Sequence, residues 1–333
     1  MTQEHLNADK PNSSRRAFLK NAGASSSAAI LAAGLVATVG TDDASAAQST
    51  GTTSANRLRA LLAKPEPIVA PIVYDLMSAK LAQHLGFSII TVGGSSVSSN
   101  MFGMGDYGMA TVSELVEFSS RMAAGVDVPV IADADDCGGN PLNVYRALKR
   151  FARADVACVL IEDMTGAKHV PGRPEGNLSS VAEMSDKIKA GVDAAGPGGP
   201  LILARCDALA KDETFDRAME RMSAYSEAGA ELVFMSGATP EQHEIVADTI
   251  GKPVFSTGNS QRDAKILQAH KVKISAFGIE SYALNAIHQV LTDLRDHGNP
   301  GRTMEELPRD VTLKLHDAEE WADISRRYNA QSY

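Results

Sequence analysis

The chain has little positive charge and few aromatic side chains, and both shortages exclude classes of ligand. Its 333 residues carry 32 Lys and Arg against 41 Asp and Glu, a formal net charge of −9. A surface that binds nucleic acid or another polyanion is therefore not expected. Aromatic residues make up 5% of the chain, with one Trp, so a stacking platform for single-stranded nucleic acid is not expected either. Small diffusible ligands fit these numbers better.

Cysteine is also scarce. Cys137, Cys158 and Cys206 are the only cysteines of the sequence. An odd, small number of cysteines is not a disulfide framework, although a single disulfide stays an alternative.

Residues 1–46 have the features of a twin-arginine signal peptide. Arg15 and Arg16 precede an apolar stretch from about Ala22 to Gly40, and Ala44-Ser45-Ala46 offers small residues for cleavage. The stretch is rich in Ala, Gly and Ser, whereas a membrane anchor is normally richer in Leu, Ile and Val. We therefore predict export of the folded protein to the periplasm, with no membrane contact after cleavage. Folding before export would also explain free thiols in a periplasmic protein.

Strand-like and helix-like segments alternate over residues 67–299, after a linker and N-terminal segment at residues 47–66 of which residues 47–60 are small and polar. The predicted strands are Ile68–Tyr74, Ser88–Gly93, Pro129–Asp135, Ala157–Asp163, Leu201–Asp207, Glu231–Ser236, Pro253–Thr257 and Val272–Gly278. The predicted helices are Leu76–Leu85, Val112–Ala124, Leu142–Ala154, Ser180–Ala194, Thr214–Ala228, Glu241–Ile250, Gln261–His270 and Tyr282–His297. Eight strand–helix units in this order predict an α/β protein, a (β/α)8 TIM-type barrel.

An open doubly wound sheet is the alternative fold. It is disfavoured because the glycine-rich dinucleotide fingerprint is missing: Gly93-Gly94 is followed by serines. Residues 300–333 are surplus to the barrel and are predicted to form a C-terminal helical extension, roughly Met304–Glu306 and Val311–Tyr328, that could pack on a neighbouring subunit. Two long connections, Ser95–Ala110 and Met164–Asn177, are candidate lids.

Three predicted strands end in charge, and the ends of parallel barrel strands lie together on the face that carries active sites. Asp133 and Asp135 are two apart on one strand and so should face the same way, and Glu162 ends the next strand. Hard oxygen ligands on rigid strand ends suit Mg²⁺, or Mn²⁺ as an alternative. Asp106 could add an outer ligand. The competing interpretation is that these are ordinary loop-capping acids.

Arg205 follows four apolar residues on its strand and must be paired there. Its planar guanidinium matches a carboxylate or an oxyanion of a substrate, or forms a structural ion pair with Asp207 or Glu162. Gly93-Gly94-Ser95 ends the second strand, where glycine lets backbone N–H groups approach an anion or simply makes a tight turn.

Three further side chains are candidates for moving a proton. Lys168 and His169 lie in the second long loop, and either could act as a general acid or base when that loop closes. Cys137 follows the aspartates and could serve as an acid, or simply fill the turn.

The chain resembles the isocitrate lyase and phosphoenolpyruvate mutase superfamily. The resemblance is carried by four motifs in order: Tyr74-Asp75-Leu76-Met77-Ser78-Ala79-Lys80 (YDALSAR-type), Asp133-Ala134-Asp135 with Gly139-Asn140 (DADTGYGN), Ile161-Glu162-Asp163 (IED) and Ala204-Arg205-Cys206-Asp207-Ala208 (ARTDA). It implies a Mg²⁺-dependent barrel, usually tetrameric, with the last helix exchanged between subunits. It also implies that Asp133, Asp135 and Glu162 hold the metal and its waters with Asp106 near, and that Arg205 and the Gly94/Ser95 backbone hold substrate oxygens. The matched motifs add Tyr74, Gly93 and Asn140 to the expected substrate-binding residues.

Departures from the family motifs fall in the parts that select the reaction. TGYG is replaced by Asp136-Cys137-Gly138-Gly139, Ala167 stands at the place of the lyases' loop cysteine, and the Lys-Thr-Asn run of the mutases is absent. We predict a lyase that cleaves a C–C bond in a small 2-hydroxy or 2-oxo (di)carboxylate through an enolate-like intermediate, in the manner of methylisocitrate lyase or oxaloacetate decarboxylase. The alternatives are a P–C bond mutase or hydrolase acting on phosphonopyruvate and, from another class, a non-catalytic periplasmic carboxylate-binding protein. The expected assembly is a homo-oligomer, a dimer of dimers.

Overall fold

The computed structural model describes residues 52–173, 176–257, 264–301 and 303–328. The signal peptide predicted for residues 1–46 lies outside the described residues, and so do residues 47–51 of the predicted linker. Both therefore stay predictions from the sequence.

Eight parallel strands close into a barrel, as the sequence predicts. They are β1 (Ile68–Val73), β2 (Ile90–Val92), β3 (Val130–Asp133), β4 (Cys158–Glu162), β7 (Leu201–Cys206), β8 (Leu232–Met235), β9 (Val254–Ser256) and β10 (Val272–Gly278). Each strand pairs with its neighbour in this order and β10 pairs with β1. Two short strands, β5 (Met164–Thr165) and β6 (Asn177–Leu178), form an antiparallel hairpin outside the barrel. The alternative of an open doubly wound sheet is wrong.

Helices surround the barrel. Their bounds are α1 (Ser54–Leu62), α2 (Leu76–His84), α3 (Gly94–Phe102), α4 (Val112–Gly125), α5 (Pro141–Arg153), α6 (Val181–Ala195), α7 (Phe215–Glu227), α8 (Pro240–Ile250), α9 (Ala264–Ala269), α10 (Glu280–His297), α11 (Arg309–Leu315) and α12 (Ala318–Arg327), with a 3₁₀ turn at Ala208–Lys211. None of the helices within the described ranges is long and apolar enough to cross a membrane.

The barrel interior is filled by branched and aromatic side chains from successive strands. Ile131, Leu160, Leu203 and Phe255 are buried in one cluster that runs across it. A second cluster lies between the strands and the outer helices. Strands covered on both faces are buried along their whole length, which explains the continuous apolar runs of the sequence. Charged residues therefore occur at the ends of these strands and not within them.

Several helices begin with a capping box that fixes the turn from strand to helix. Thr111 with Glu114 starts α4, and Ser180 with Glu183 starts α6; in each pair the side chains bond each other's backbone N–H. Such reciprocal bonds satisfy orphan donors of the first helical turn. The loops at the charged end of the barrel therefore enter their helices in fixed positions.

The structure corrects the sequence interpretation in four segments. The predicted linker at residues 47–60 contains most of α1, which Thr53 caps and whose Leu58 is buried in the cluster that fills the barrel. The first half of the predicted loop Ser95–Ala110 is α3, which ends at the left-handed Gly103. Met304–Glu306 is not helical, and Val311–Tyr328 is two helices that break at Asp317, whose φ of 51° does not continue a helix.

Candidate active site

The charged strand ends meet on one side of the barrel mouth because β3, β4 and β7 are neighbours. Glu162 on β4 is in direct register with Arg205 on β7. One ligand oxygen from each of Asp133, Asp135 and Glu162 can be chosen so that all lie within 4.8 Å of one another. The three carboxylates predicted from the sequence as metal ligands therefore lie together in one cluster.

Asp135 reaches this cluster by a turn and not by the strand pleat. Strand β3 ends at Asp133, and Asp135 follows in the left-handed conformation with φ 49°. Its backbone N–H donates to Asp133 Oδ1 (3.0 Å), which closes the turn. The expectation that both aspartates face the same way along one strand is thus wrong in its geometry, since the strand is two residues shorter.

Gly94 lies so close to the cluster that a side chain there would collide with its carboxylates. Its N–H donates to Asp133 Oδ2 at 3.0 Å. A Cβ built on Gly94 would lie 2.8 Å from Asp135 Oδ1 and 3.4 Å from Asp133 Oδ2. The glycine lets backbone approach an anion, as the sequence suggested. That anion is the Asp133 carboxylate, so this N–H is already committed within the protein.

Lys168 is buried among the carboxylates, with 2% of its side chain exposed. Its Nζ lies 2.6 Å from Asp135 Oδ1, 3.0 Å from Glu162 Oε1 and 3.5 Å from Asp106 Oδ2. Burial alone would lower the pKa of Lys168, but Glu162, Asp133 and Asp135 raise it above its ordinary value. The lysine is therefore a fixed cation of the site and a poor base.

The acids of the cluster outnumber the cations Lys168 and Arg205 that lie beside them. Burial raises the pKa of Glu162 to about 8 although Arg205 and Lys168 oppose the shift. Burial, and next the Asp133 carboxylate, raise the pKa of Asp135 to about 6. Asp106 Oδ1 is buried and accepts no hydrogen bond, and Glu162 Oε2 is buried with the ionic contact to Arg205 Nη1 at 3.2 Å beside it. Buried carboxylate oxygens in a set of four acids are the ligands that Mg²⁺ or Mn²⁺ prefers. The residues present therefore fit a hard divalent cation.

Arg205 is held beside this cluster by acids on both sides. Its Nε and Nη2 donate to Asp207 Oδ1 at 3.0 and 2.7 Å. Its Nη1 lies 3.2 Å from Glu162 Oε2, and its Cζ lies 5.3 Å from the centre of the Phe234 ring. Burial would lower the pKa of Arg205, but Glu162 and Asp207 raise it. The ion pairs considered from the sequence are thus present, and they orient the guanidinium.

A second layer behind Arg205 was missed by the sequence analysis. Asp163 Oδ1 accepts from the backbone N–H of Asp207 (2.8 Å), and Asp163 Oδ2 accepts from the hydroxyl of Tyr225 (2.7 Å). Arg221 lies one helical turn from Tyr225 on α7, and its Nη1 is 3.5 Å from Asp163 Oδ2. The signal available in the sequence was the acid directly after Glu162. Its partners on α7 are far along the chain.

Cys137 is buried away from solvent. Its side chain is buried in the apolar cluster between strands and helices, and burial raises the pKa of the thiol to about 12. This burial favours the alternative that Cys137 fills the turn after Asp135, and its action as an acid stays a prediction from the sequence.

The other predicted residues are placed as follows. Asn140 caps α5 by accepting from the N–H groups of Leu142 and Asn143, so its side chain serves the helix. Ser95 and His169 are exposed, and Gly93 begins α3 as its N-cap. Tyr74 follows β1, where burial, Asp75 and Glu280 raise the pKa of its phenol.

A parallel barrel with clustered carboxylates and an arginine at the carboxyl ends of its strands defines a TIM-barrel enzyme. Residues 58–295 match the model of the family described as phosphoenolpyruvate phosphomutase. The chain belongs to the isocitrate lyase and phosphoenolpyruvate mutase superfamily.

Several similar proteins carry lyase and decarboxylase names. The chain is 33% identical to 2,3-dimethylmalate lyase of Eubacterium barkeri, over 68% of this chain and 77% of that protein. It is 33% identical to oxaloacetate decarboxylase of Pseudomonas fluorescens (strain SBW25), over 80% of this chain and 95% of that protein. It is 32% identical to 2-methylisocitrate lyase of Escherichia coli (strain K12), over 70% and 82%.

Solved structures agree with this placement. Oxaloacetate acetylhydrolase in complex with the inhibitor 3,3-difluorooxalacetate has a TM-score of 0.76 and 25% identity, with 84% of this chain and 98% of that chain covered. Phosphonopyruvate hydrolase in complex with oxalate and Mg²⁺ has a TM-score of 0.72 and 25% identity, over 83% and 99%.

Proposed function

We propose that the protein is a Mg²⁺-dependent lyase that cleaves a C–C bond in a small 2-hydroxy or 2-oxo (di)carboxylate through an enolate-like intermediate. The observation that carries this proposal is the cluster of Asp133, Asp135 and Glu162 beside the oriented guanidinium of Arg205. The names of the relatives, which act on dimethylmalate, oxaloacetate and methylisocitrate, support it.

The proposed roles follow from the contacts. Asp133, Asp135 and Glu162 would hold the cation and its waters, with Asp106 at the edge of the cluster. When bound, the ion would act as a Lewis acid toward a substrate oxygen. Arg205 faces the negative charge that develops as the bond breaks, and Asp207 keeps its fork in place. Because the Cys137 thiol is buried among apolar side chains, the proton is assigned to the loop residues Lys168 and His169, of which Lys168 can only donate while it lies among the carboxylates.

A substrate panel tests the proposal. The protein would be assayed with Mg²⁺ against oxaloacetate, 2-methylisocitrate, 2,3-dimethylmalate and phosphonopyruvate, and Asp135→Ala would be the matched inactive variant. We expect turnover of a carboxylate that metal removal abolishes. Full activity of Asp135→Ala after strict metal removal would refute the proposal. Release of phosphate from phosphonopyruvate would favour P–C chemistry, and tight ligand binding without turnover would favour a carboxylate-binding protein.

We also propose that the protein assembles as a homo-oligomer, with a second copy covering α10. Leu284, Ile287, Leu291 and Leu294 lie on one face of this helix at helical spacing, and each is about half exposed. Exposed apolar rows of this kind usually mark an interface. Light scattering on Leu291→Lys, expected to yield smaller species than the unchanged protein, tests this.

Export remains a proposal from the sequence. Arg15→Lys with Arg16→Lys should keep the protein in the cytoplasm if the twin-arginine route carries it. Fractionation of cells that express both forms would decide.

A further inference from the structure

We infer that Lys187, on α6, is a positioning residue for Asp135: its ammonium holds the turn at residues 134–139 in the shape that places the Asp135 carboxylate in the metal cluster. This inference rests on the metal site of the proposed function. It adds to that site a buried side chain from a different element, which the sequence analysis did not select.

The first observation is that Lys187 is a buried ammonium without a carboxylate beside it. The residue is 1% exposed, and its Nζ donates to the backbone carbonyl of Asp136 at 3.3 Å. It forms no ion pair with a carboxylate of the residues that the structure describes. A buried charge without a counter-ion costs free energy, and its replacement by an apolar group of similar size is often neutral or stabilising. Stability alone therefore does not account for a lysine at this position.

The second observation is that the carbonyl contacted by Lys187 belongs to the turn that carries Asp135. Asp136 follows Asp135 directly, and its carbonyl also accepts from the N–H of Gly139 at 3.2 Å. Burial raises the pKa of the next residue's thiol, Cys137, and the charge of Lys187 opposes this rise, so the ammonium lies near the middle of the turn. Lys187 therefore connects α6 to the turn that follows β3.

The third observation is that the turn has a strained backbone, which needs contacts from outside to keep its shape. Most of its residues have positive φ, namely Asp135 (49°), Cys137 (55°), Gly138 (83°) and Gly139 (82°). The left-handed region costs free energy at the two that are not glycine. Two helices anchor the turn by side chains: Asn143 Nδ2 on α5 donates to the carbonyl of Gly138 at 2.7 Å, and Lys187 on α6 donates to that of Asp136.

Asp135 is the member of the cluster that depends on this turn. Asp133 and Glu162 end the paired strands β3 and β4, so strand pairing fixes their positions. Asp135 lies beyond the end of β3 and enters the cluster through its left-handed φ. If the anchor at Asp136 is lost, the turn can relax and carry the Asp135 carboxylate away from the other two. Loss of one of three charged ligands weakens a site for a hard cation without unfolding the barrel.

The test compares Mg²⁺ affinity with stability, and neither measurement needs turnover. Lys187→Met removes the ammonium and keeps a long side chain, and Lys189→Met makes the same change at an exposed position of the same helix. By calorimetry we expect Lys187→Met to bind Mg²⁺ with a Kd higher by about tenfold, and Lys189→Met to match the unchanged protein. The urea midpoint of Lys187→Met should stay equal or rise, because an unpaired buried charge has been removed.

Amide hydrogen exchange of the metal-free proteins locates the effect in the chain. In Lys187→Met, the N–H groups of residues 137–139 should exchange faster than in the unchanged protein, while those of α8 should not change. Val246→Ala, at a wholly buried position on α8, is the control for a general loss of stability. It should lower the urea midpoint and leave the Kd for Mg²⁺ unchanged.

Equal or tighter Mg²⁺ binding by Lys187→Met would overturn the inference while the proposed metal site stands, and so would unchanged exchange in residues 137–139. A urea midpoint of Lys187→Met as low as that of Val246→Ala, or failure of Lys187→Met to fold, would also overturn it, because Lys187 would then be a structural residue. If the unchanged protein does not bind Mg²⁺, the metal part of the proposed function fails, and the exchange measurement still decides whether Lys187 holds the turn.

Discussion

Tyr225→Phe tests whether the layer behind Arg205 stabilises the site. The substitution removes one oxygen from a side chain that is wholly buried and keeps the ring. The lost hydroxyl donates to Asp163 Oδ2 at 2.7 Å and accepts from Arg221 Nη1 at 3.3 Å. Asp163 would keep the backbone N–H of Asp207, at 2.8 Å, as its nearest donor.

The expected loss of stability is about 2 kcal/mol. A hydrogen bond to a charged group contributes roughly 1.5–3 kcal/mol, and removal of one partner of a buried pair leaves the other unsatisfied. Arg221 Nη1, 3.5 Å from the same oxygen, can move closer and recover part of the loss, which favours the lower half of that range. For a domain of this size the midpoint of thermal unfolding should fall by on the order of 4 °C.

Urea denaturation of the metal-free protein at pH 7 measures the effect. Tyr145→Phe is the matched control, because Tyr145 is 43% exposed and its loss of a hydroxyl should leave stability unchanged. Mg²⁺ affinity should not change in Tyr225→Phe, since Asp163 lies outside the metal cluster. The KM for a substrate should rise, because Asp163 positions Asp207 and, through it, Arg205. A loss of stability below about 0.5 kcal/mol would refute the reasoning.

Three further predictions concern the cluster and the turn beside it. Gly94→Ala should weaken Mg²⁺ binding by about tenfold in calorimetry, because its Cβ would displace the Asp135 carboxylate, while Gly278→Ala, with open space at another strand end, should not. The Glu162 pKa of about 8 lies above its value of about 4.3 in an unfolded chain, so the folded state holds the proton longer and the stability of the metal-free protein should fall as pH rises through 8. Thermal stabilisation by Mg²⁺ needs the ionised carboxylate and should therefore grow over the same pH range. Melting curves with and without Mg²⁺ at pH 6 and pH 9 check the sign of both effects. Cys137→Ala should lower stability by about 1 kcal/mol in urea denaturation and leave turnover intact, and loss of turnover would return the thiol to the mechanism.

The fold could be predicted because barrel strands are buried on both faces. Runs such as Val130–Asp133 and Leu201–Cys206 stand out as continuous apolar segments, and the helices between them are amphipathic. Helix α3 was missed because its serine-rich sequence looks like a loop. Its first N–H, that of Gly94, donates to Asp133, which only the folded barrel places there. Helix α1 was missed because the sequence around it is small and polar, and the few apolar residues that pack on the barrel do not form a clear pattern.

The part of the site that was predicted from the sequence is the set of charged residues at the strand ends. Asp133, Glu162 and Arg205 follow apolar runs, so their convergence follows from the barrel alone. The position of Lys168 depends on a loop conformation, and the burial of Cys137 depends on a turn in which Asp135, Cys137 and the two following glycines have positive φ. Neither feature gives a periodic pattern of residues in the sequence from which it could be predicted. Tyr225 and Arg221 are distant in sequence from Asp163, and their contact with it arises from the packing of α7 on β7 and β8.

The state of Arg205 also bears on which bond is cleaved. Two of its nitrogens donate to Asp207 and the third lies beside Glu162, so its free capacity for a substrate is about one oxyanion. A single carboxylate or enolate oxygen needs no more than this. A phosphonate brings three oxygens and more charge, and among the described residues at the cluster the further cation is Lys168, which the acids already hold. The donor supply therefore favours a carboxylate over phosphonopyruvate, and in the substrate panel we expect a pyruvate-like or decarboxylated product without release of phosphate.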